Sequence, residues 1–209
     1  MSPTPFQRSQ GLEWDVASRA VPGQKQSGDL QLVRPRRDGM LAAVVDGLGH
    51  GDEASVAAKR AIEVLEQHVD ESVIGLMRRC DGALRTTRGA VMTLVSFNMV
   101  EHTVAMLGVG NVETVLLRAN PAANPSRESV LLRGGLVGFQ LPALHASVLP
   151  VFPGDVMIFA TDGVRDGFTE GVNLGDPLPQ LVGKIMTRHF RGTDDALVLA
   201  IRYLGKPDG

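Results

Sequence analysis

Asp46 stands at the end of an apolar run, Met40-Leu41-Ala42-Ala43-Val44-Val45, and opens the turn Gly47-Leu48-Gly49-His50-Gly51. Glycines in such a turn let a ligand approach the main chain closely. The turn can therefore offer a carboxylate and a carbonyl oxygen side by side, which suits a hard cation. A plain turn accounts for the same letters, because Asp-Gly is a common turn dipeptide. It recurs at Asp38-Gly39, Asp81-Gly82, Asp162-Gly163 and Asp166-Gly167. Other acids occupy places like that of Asp46: Asp29 and Asp194-Asp195 each precede an apolar stretch, and Asp162 follows one. Lys and Arg are scarce around these turns, so a divalent cation is the economical counter-charge for acids brought together there. Oxygen ligands without a Cys or His cluster point to Mg²⁺ or Mn²⁺ rather than zinc.

Such acids need a scaffold that gathers them. The unbroken apolar character of 40–45 predicts a strand covered on both faces, the return arm of a hairpin from Leu30–Val33 through Arg34–Gly39. A first strand is expected over Trp14–Val21. Ala54, Ala57, Ala58, Ala61, Ile62 and Leu65 fall at helical spacing, with Asp52 and Glu53 at the end where acids complement the helix dipole. A second helix is expected from Ser72 to Arg85 and a third over Pro177–Phe190. Strands are expected at Val91–Phe97, Thr103–Val109, Val112–Arg118, Val130–Arg133, Ser147–Val151, Val156–Ala160 and Ala196–Tyr203, with a surface loop over 119–128. Strands in hairpins with grouped helices predict an α+β fold with antiparallel sheets. In such sheets the exit of one strand lies beside the entry of its neighbour, so Asp29, Asp46, Asp162 and Asp194 are expected on one rim.

The 209 residues suit one domain, expected over 11–205 after a disordered polar tail, 1–10. With 44% hydrophobic and 21% charged residues and a net charge of -2, the composition is that of an ordinary globular protein. It lacks the basic stripe and aromatics of a nucleic-acid binder. Cys80, the only cysteine, excludes an internal disulfide and reads as a core residue. No stretch looks like a signal segment or membrane span, so a cytoplasmic protein without a membrane partner is expected.

Taken together, Ser27-Gly28-Asp29, Asp46-Gly47-Leu48-Gly49-His50-Gly51, Gly108-Val109-Gly110-Asn111, Gly134-Gly135, Asp162-Gly163 and Asp194-Asp195 form an ordered set. In this the sequence resembles the metal-dependent PPM (type 2C) serine/threonine protein phosphatases, within them the SpoIIE-like branch, from about Trp14 to Tyr203. The resemblance implies an αββα sandwich, two antiparallel sheets packed face to face and flanked by helix pairs, with two Mn²⁺ or Mg²⁺ ions at one end. Carried over, Asp46 would bridge the ions and serve catalysis, and the Gly47 carbonyl would bind one ion. Asp162 and Asp194 would bind the other, and Asp29 would assist directly or through water. Asp195 leaves a one-residue ambiguity, with Asp194 favoured. The implied substrates are phosphorylated STAS-domain proteins of the stressosome, the RsbS and RsbR types, acted on by a monomer.

Two departures stand out. Eukaryotic relatives place a proton-donating histidine where this chain has Leu48, which leaves His50 or water to protonate the leaving group. Larger relatives hold a phosphate-binding arginine, with which Arg19 does not align, and a flap for which Gly138–Val148 leaves little room. These departures motivate an alternative, a pseudophosphatase that captures a phosphoprotein without turnover. A third reading, a nucleotide-binding loop at Gly47–Gly51, lacks the P-loop lysine and a parallel strand–helix–strand setting.

Overall fold

The apolar run ending at Asp46 becomes a strand whose two faces are both covered. The computed structural model describes residues 7–24, 26–49 and 51–205. Among them the hairpin of β3 (Asp29–Arg36) and β4 (Gly39–Gly47) pairs antiparallel, followed outward by β5 (Ala90–Asn98), β6 (Thr103–Val109) and β10 (Ser147–Pro150). Along β4 the residues alternate: Met40, Ala42 and Val44 enter one apolar layer, Leu41, Ala43 and Val45 another. Alternation of side chains along a strand puts these layers on opposite faces. The second layer is filled by α1 (Asp52–Gln67) and α2 (Val73–Leu84). Ala54, Ala57, Ala58 and Ala61 are buried on α1, and their small side chains let the helix lie close over the sheet. The Ser72 hydroxyl caps α2 by accepting the Gly75 N–H at 3.1 Å. Cys80 is buried in this layer as expected, and burial pushes its thiol up to about 12.

The other sheet runs β1 (Gln7–Ser9), β2 (Leu12–Arg19), β12 (Ala196–Tyr203), β11 (Val156–Ala160), β7 (Glu113–Leu117) and β8 (Arg127–Ser129). Leu197, Leu199, Ile201, Tyr203, Met157 and Phe159 meet Met40, Val44 and Phe97 in the layer between the sheets. On the outer face, Val198, Ala200, Val156 and Ile158 pack against Leu181, Val182, Ile185 and Met186 of α3 (Leu178–His189). This is the α+β sandwich of two face-to-face sheets.

The details differ in three places. One helix, α3, rather than a pair covers the outer face of the β12 sheet among the described residues. Gln7–Ser9 pairs with β2 instead of belonging to the tail, while residues 1–6 lie outside the described residues. The strand expected at Val130–Arg133 is reduced to β9 (Leu132–Arg133), parallel to β6, while β8, starting within the expected loop 119–128, pairs with β7 in the other sheet. Val130, buried between them, marks where the chain changes sheets. Apolar patterning alone cannot locate such a crossing. All the pairings of β4 are antiparallel, so the Gly47–Gly51 turn does not sit in a parallel nucleotide-binding unit.

Candidate metal centre

Side-chain parity carries the acids into the inter-sheet layer. Asp46 continues the Met40, Ala42, Val44 face of β4, and Asp29 the Val33 face of β3, both facing the opposite sheet. The two are direct partners in the β3–β4 register. Asp29 is only 3% exposed. The Thr161 hydroxyl, just past β11 in the other sheet, donates to its Oδ2 at 2.7 Å, while Thr161 Oγ1 accepts the Leu197 N–H at 2.8 Å. One threonine thus ties the acid of one sheet to the central strands of the other.

The second sheet supplies its acids at the same end. Asp162 follows Thr161, with one carboxylate oxygen held by the Asn111 side-chain amide at 2.9 Å. Asp194 is half-buried and accepts the Asp195 N–H at 2.8 Å. Asp195 is differently engaged. It is 3% exposed, and its two oxygens accept the N–H groups of Val21 at 2.7 Å and Gly28 at 2.6 Å. Each oxygen thus holds one backbone N–H, and together they pin the β2–β3 loop beside Asp29. The glycines permit this packing. A Cβ on Gly47 would collide with the Ala54 carbonyl, and one on Gly163 with the Asp195 carbonyl. The Gly47 N–H donates to the Gly28 carbonyl at 3.1 Å, which fixes one acid-bearing turn against the other.

The electrostatics follow from this gathering. Burial, then repulsion from Asp29, Asp162, Asp194 and Asp195, pushes Asp46 up to about 9. Burial also dominates at Asp29, and with repulsion from Asp195, Asp162 and Asp194 it outweighs the Thr161 hydrogen bond and raises the carboxyl to about 7. Asp162 is raised by burial and by Asp194, with Asn111 and Arg191 opposing. Among the described residues no three acidic, imidazole or thiol groups form a ready-made cation cage. The acids interact by charge across shared space rather than by touching. Carboxylates that raise one another, with a main-chain carbonyl beside them, are a donor set that fits a hard divalent cation.

The sequence singled out Asp29, Asp46, Gly47, Asp162, Asp194 and Asp195, and the fold brings all six to one end of the inter-sheet layer. His50 lies outside the described residues. Leu48 is 49% exposed and holds its turn through an N–H bond to the Gly89 carbonyl at 3.0 Å. Arg19 pairs in register with Ala196 and lies over the Phe190 ring at 5.3 Å. Sequence reasoning missed the roles of Thr161 and Asn111. Thr161 was legible as a polar residue on the buried parity of β11; Asn111 had no signal beyond its turn.

A sandwich of this kind is shared with known proteins. A chain from a solved structure of the bacterial stressosome, described as a modular system adapted to control secondary messenger signaling, matches with a TM-score of 0.82. It is 29% identical, with 91% of this chain and 99% of that one covered. RsbX in complex with magnesium matches with a TM-score of 0.82 at 20% identity over 94% of this chain and 98% of that one, a likeness of fold. Phosphoserine phosphatase RsbX of Bacillus subtilis (strain 168) is 28% identical over 94 residues. That alignment spans 45% of this chain and 47% of the relative, just under half of each. The profile of the family described as stage II sporulation protein E (SpoIIE) matches residues 36–204, from the β3–β4 hairpin through β12. The chain belongs to the SpoIIE family, in the PPM phosphatase fold.

Proposed function

We propose that this chain is a metal-dependent serine/threonine protein phosphatase, a single domain that takes in the strand Gln7–Ser9, and that it dephosphorylates STAS-domain proteins of the stressosome, the RsbS and RsbR types. It would act in the cytoplasm as a monomer and restrain a sigma-B-type general stress response. The observation that carries the reading is the facing pair Asp29 and Asp46, both held well above the usual carboxylate range by burial and by their acidic neighbours. A purely structural site would have little use for such repulsion. Likeness to RsbX, named a phosphoserine phosphatase, supports the reaction class, and the stressosome chain supports the substrate class.

Asp46 and the Gly47 carbonyl would hold Mn²⁺ or Mg²⁺, two ions in all, with Asp162 and Asp194 completing the set and Asp29 assisting. Bound there, the ions would acidify water for attack on phosphorus and offset charge on the phosphoryl oxygens. The chain's own part is to position and to exclude. Thr161 fixes Asp29 by its hydroxyl, Asn111 orients Asp162, and Asp195 locks the Gly28–Asp29 turn. Leu48 has no proton to give, so protonation of the departing serine or threonine alkoxide falls to His50 or to water.

Phosphate release from a phosphorylated STAS-domain protein in Mn²⁺, by the wild type and by Asp46→Asn, tests the reading. Release is expected only from the wild type; equal rates would remove the metal mechanism. Leu48 favours one alternative, a module that captures the phosphoprotein without turnover. Absence of Mn²⁺ binding by calorimetry would favour that binder.

A further inference from the structure

Phe139 is 85% exposed. It sits on a turn closed by three backbone bonds: Phe139 N–H to the Leu136 carbonyl at 3.1 Å, Gln140 N–H to the same carbonyl at 2.8 Å, and Leu136 N–H to the Gln140 carbonyl at 3.0 Å. The Gly138 N–H donates to Asp81 at 2.9 Å, and Gly138, at φ +97°, packs against Leu84 so closely that no Cβ would fit. These bonds fix the backbone from which the ring projects. An aromatic presented rigidly to water is the form that interface anchors take.

The turn belongs to the rim of the acidic centre. Val137 exchanges both backbone bonds with Ala90, at 3.0 and 2.9 Å, and Ala90 is the register partner of Gly47. Leu48, the other exposed apolar side chain here, hangs from the Gly89 carbonyl. The arginines of this edge are already paired, Arg88 with Glu53 and Arg85 with Asp81. Neither Phe139 nor Leu48 lines any of the cavities described on the molecule. Among the described residues this edge offers projecting apolar side chains flanked by paired charges.

We propose that Phe139, with Leu48, is a docking anchor for the folded phosphoprotein substrate, entering an apolar hollow beside the phosphorylated residue. The inference rests on the phosphatase reading and adds what the acids cannot supply, selection of a folded partner over any phosphoester. The occupant is the substrate rather than a membrane or a second copy, because the turn is hydrogen-bonded to the strand that carries the acidic centre's own neighbours. A partner seated on it has its surface beside that centre.

Two measurements on the full chain separate docking from chemistry. In steady-state hydrolysis with Mn²⁺, Phe139→Ala should lower kcat/KM for a phosphorylated STAS-domain protein about tenfold through KM, while kcat/KM for p-nitrophenyl phosphate stays within about twofold. Phe139→Leu should recover most of the loss. In calorimetric titration, Asp46→Asn should bind the phosphoprotein, and Asp46→Asn with Phe139→Ala should bind it about tenfold more weakly. Unchanged binding and kcat/KM for the phosphoprotein, or equal losses on both substrates, would overturn the anchor. So would a change of oligomeric state on ultracentrifugation that accounts for the loss, or binding to vesicles of anionic lipid abolished by Phe139→Ala. If the wild type releases no phosphate from either substrate, the phosphatase reading fails, and the binding titration still decides the anchor.

Discussion

Two buried aspartates, in different parts of the sandwich, show how differently the same side chain can be treated. Asp155 is 2% exposed and Asp29 is 3% exposed. Asp155 is surrounded by donors: the Arg118 guanidinium at 2.8 Å and the backbone N–H groups of Ala119 and Phe152 at 2.9 and 3.1 Å. Arg118 also bonds Glu128 at 2.6 Å and the Pro150 carbonyl at 2.8 Å. Asp29 has one hydroxyl and is otherwise faced by Asp46, Asp162, Asp194 and Asp195. A buried carboxylate met by a cation and amides is part of the scaffold. One met by other carboxylates is a place where the fold has left a counter-charge to be supplied.

That contrast can be broken most directly at Asp46. Asp46→Asn should cut phosphate release about 10³-fold while leaving the metal-free fold about as stable as the wild type near neutral pH, where a carboxyl held at about 9 is protonated, and more stable above that value, where the wild type carries the repelling charge; urea titration reads the second part. At the other pole the effects should be reversed. Arg118→Ala leaves Asp155 and Glu128 without their cation and should cost about 3 kcal/mol of stability by urea titration, with kcat of the folded enzyme unchanged.

The pH dependence sharpens the comparison. Asp29 and Asp46, at about 7 and about 9 against an ordinary 3.8, bind protons in the folded state that the unfolded chain has already lost. Their contribution is therefore fully present below the ordinary value and is lost as pH rises through about 7 and then about 9. The metal-free protein should melt at progressively lower temperature from about pH 5 to about pH 9. Mg²⁺ at a hundred times its Kd should restore about 2.7 kcal/mol, read by calorimetry. A flat metal-free profile that Mg²⁺ does not move would count against a cation site.

The finest test lies within the acidic end itself. Asp195→Asn would set a donor against the Val21 or Gly28 N–H and should cost about 1–3 kcal/mol of stability. Asp194→Asn should change stability by no more than about 0.5 kcal/mol yet weaken Mg²⁺ binding more than Asp195→Asn does. The reverse order would make Asp195 the ligand.

Much of this was legible in the residues. The unbroken run 40–45 specified a strand covered on both faces, the spacing of Ala54 to Leu65 a helix over it, and the aspartates at strand ends a gathered acidic rim. The ordered turns also carried the family. The division of 127–133 between two sheets was not legible, because the apolar pattern of a strand does not name the neighbour it pairs with. Nor was the separation of Asp194 from Asp195. Adjacent identical acids differ only in which backbone N–H groups the fold brings to them.

The sequence alone determined the periodicities, and with them the elements, the faces they bury and the chain positions of the acids, since these depend on residues close along the chain. Only the tertiary structure decided that Thr161 of one sheet holds Asp29 of the other, that Asp195 is occupied by Val21 and Gly28, and that Phe139 remains in water beside the centre. Each of those outcomes joins segments far apart in the chain. Their partners are set by how the sheets and helices of the described residues pack, which no local pattern of residues records.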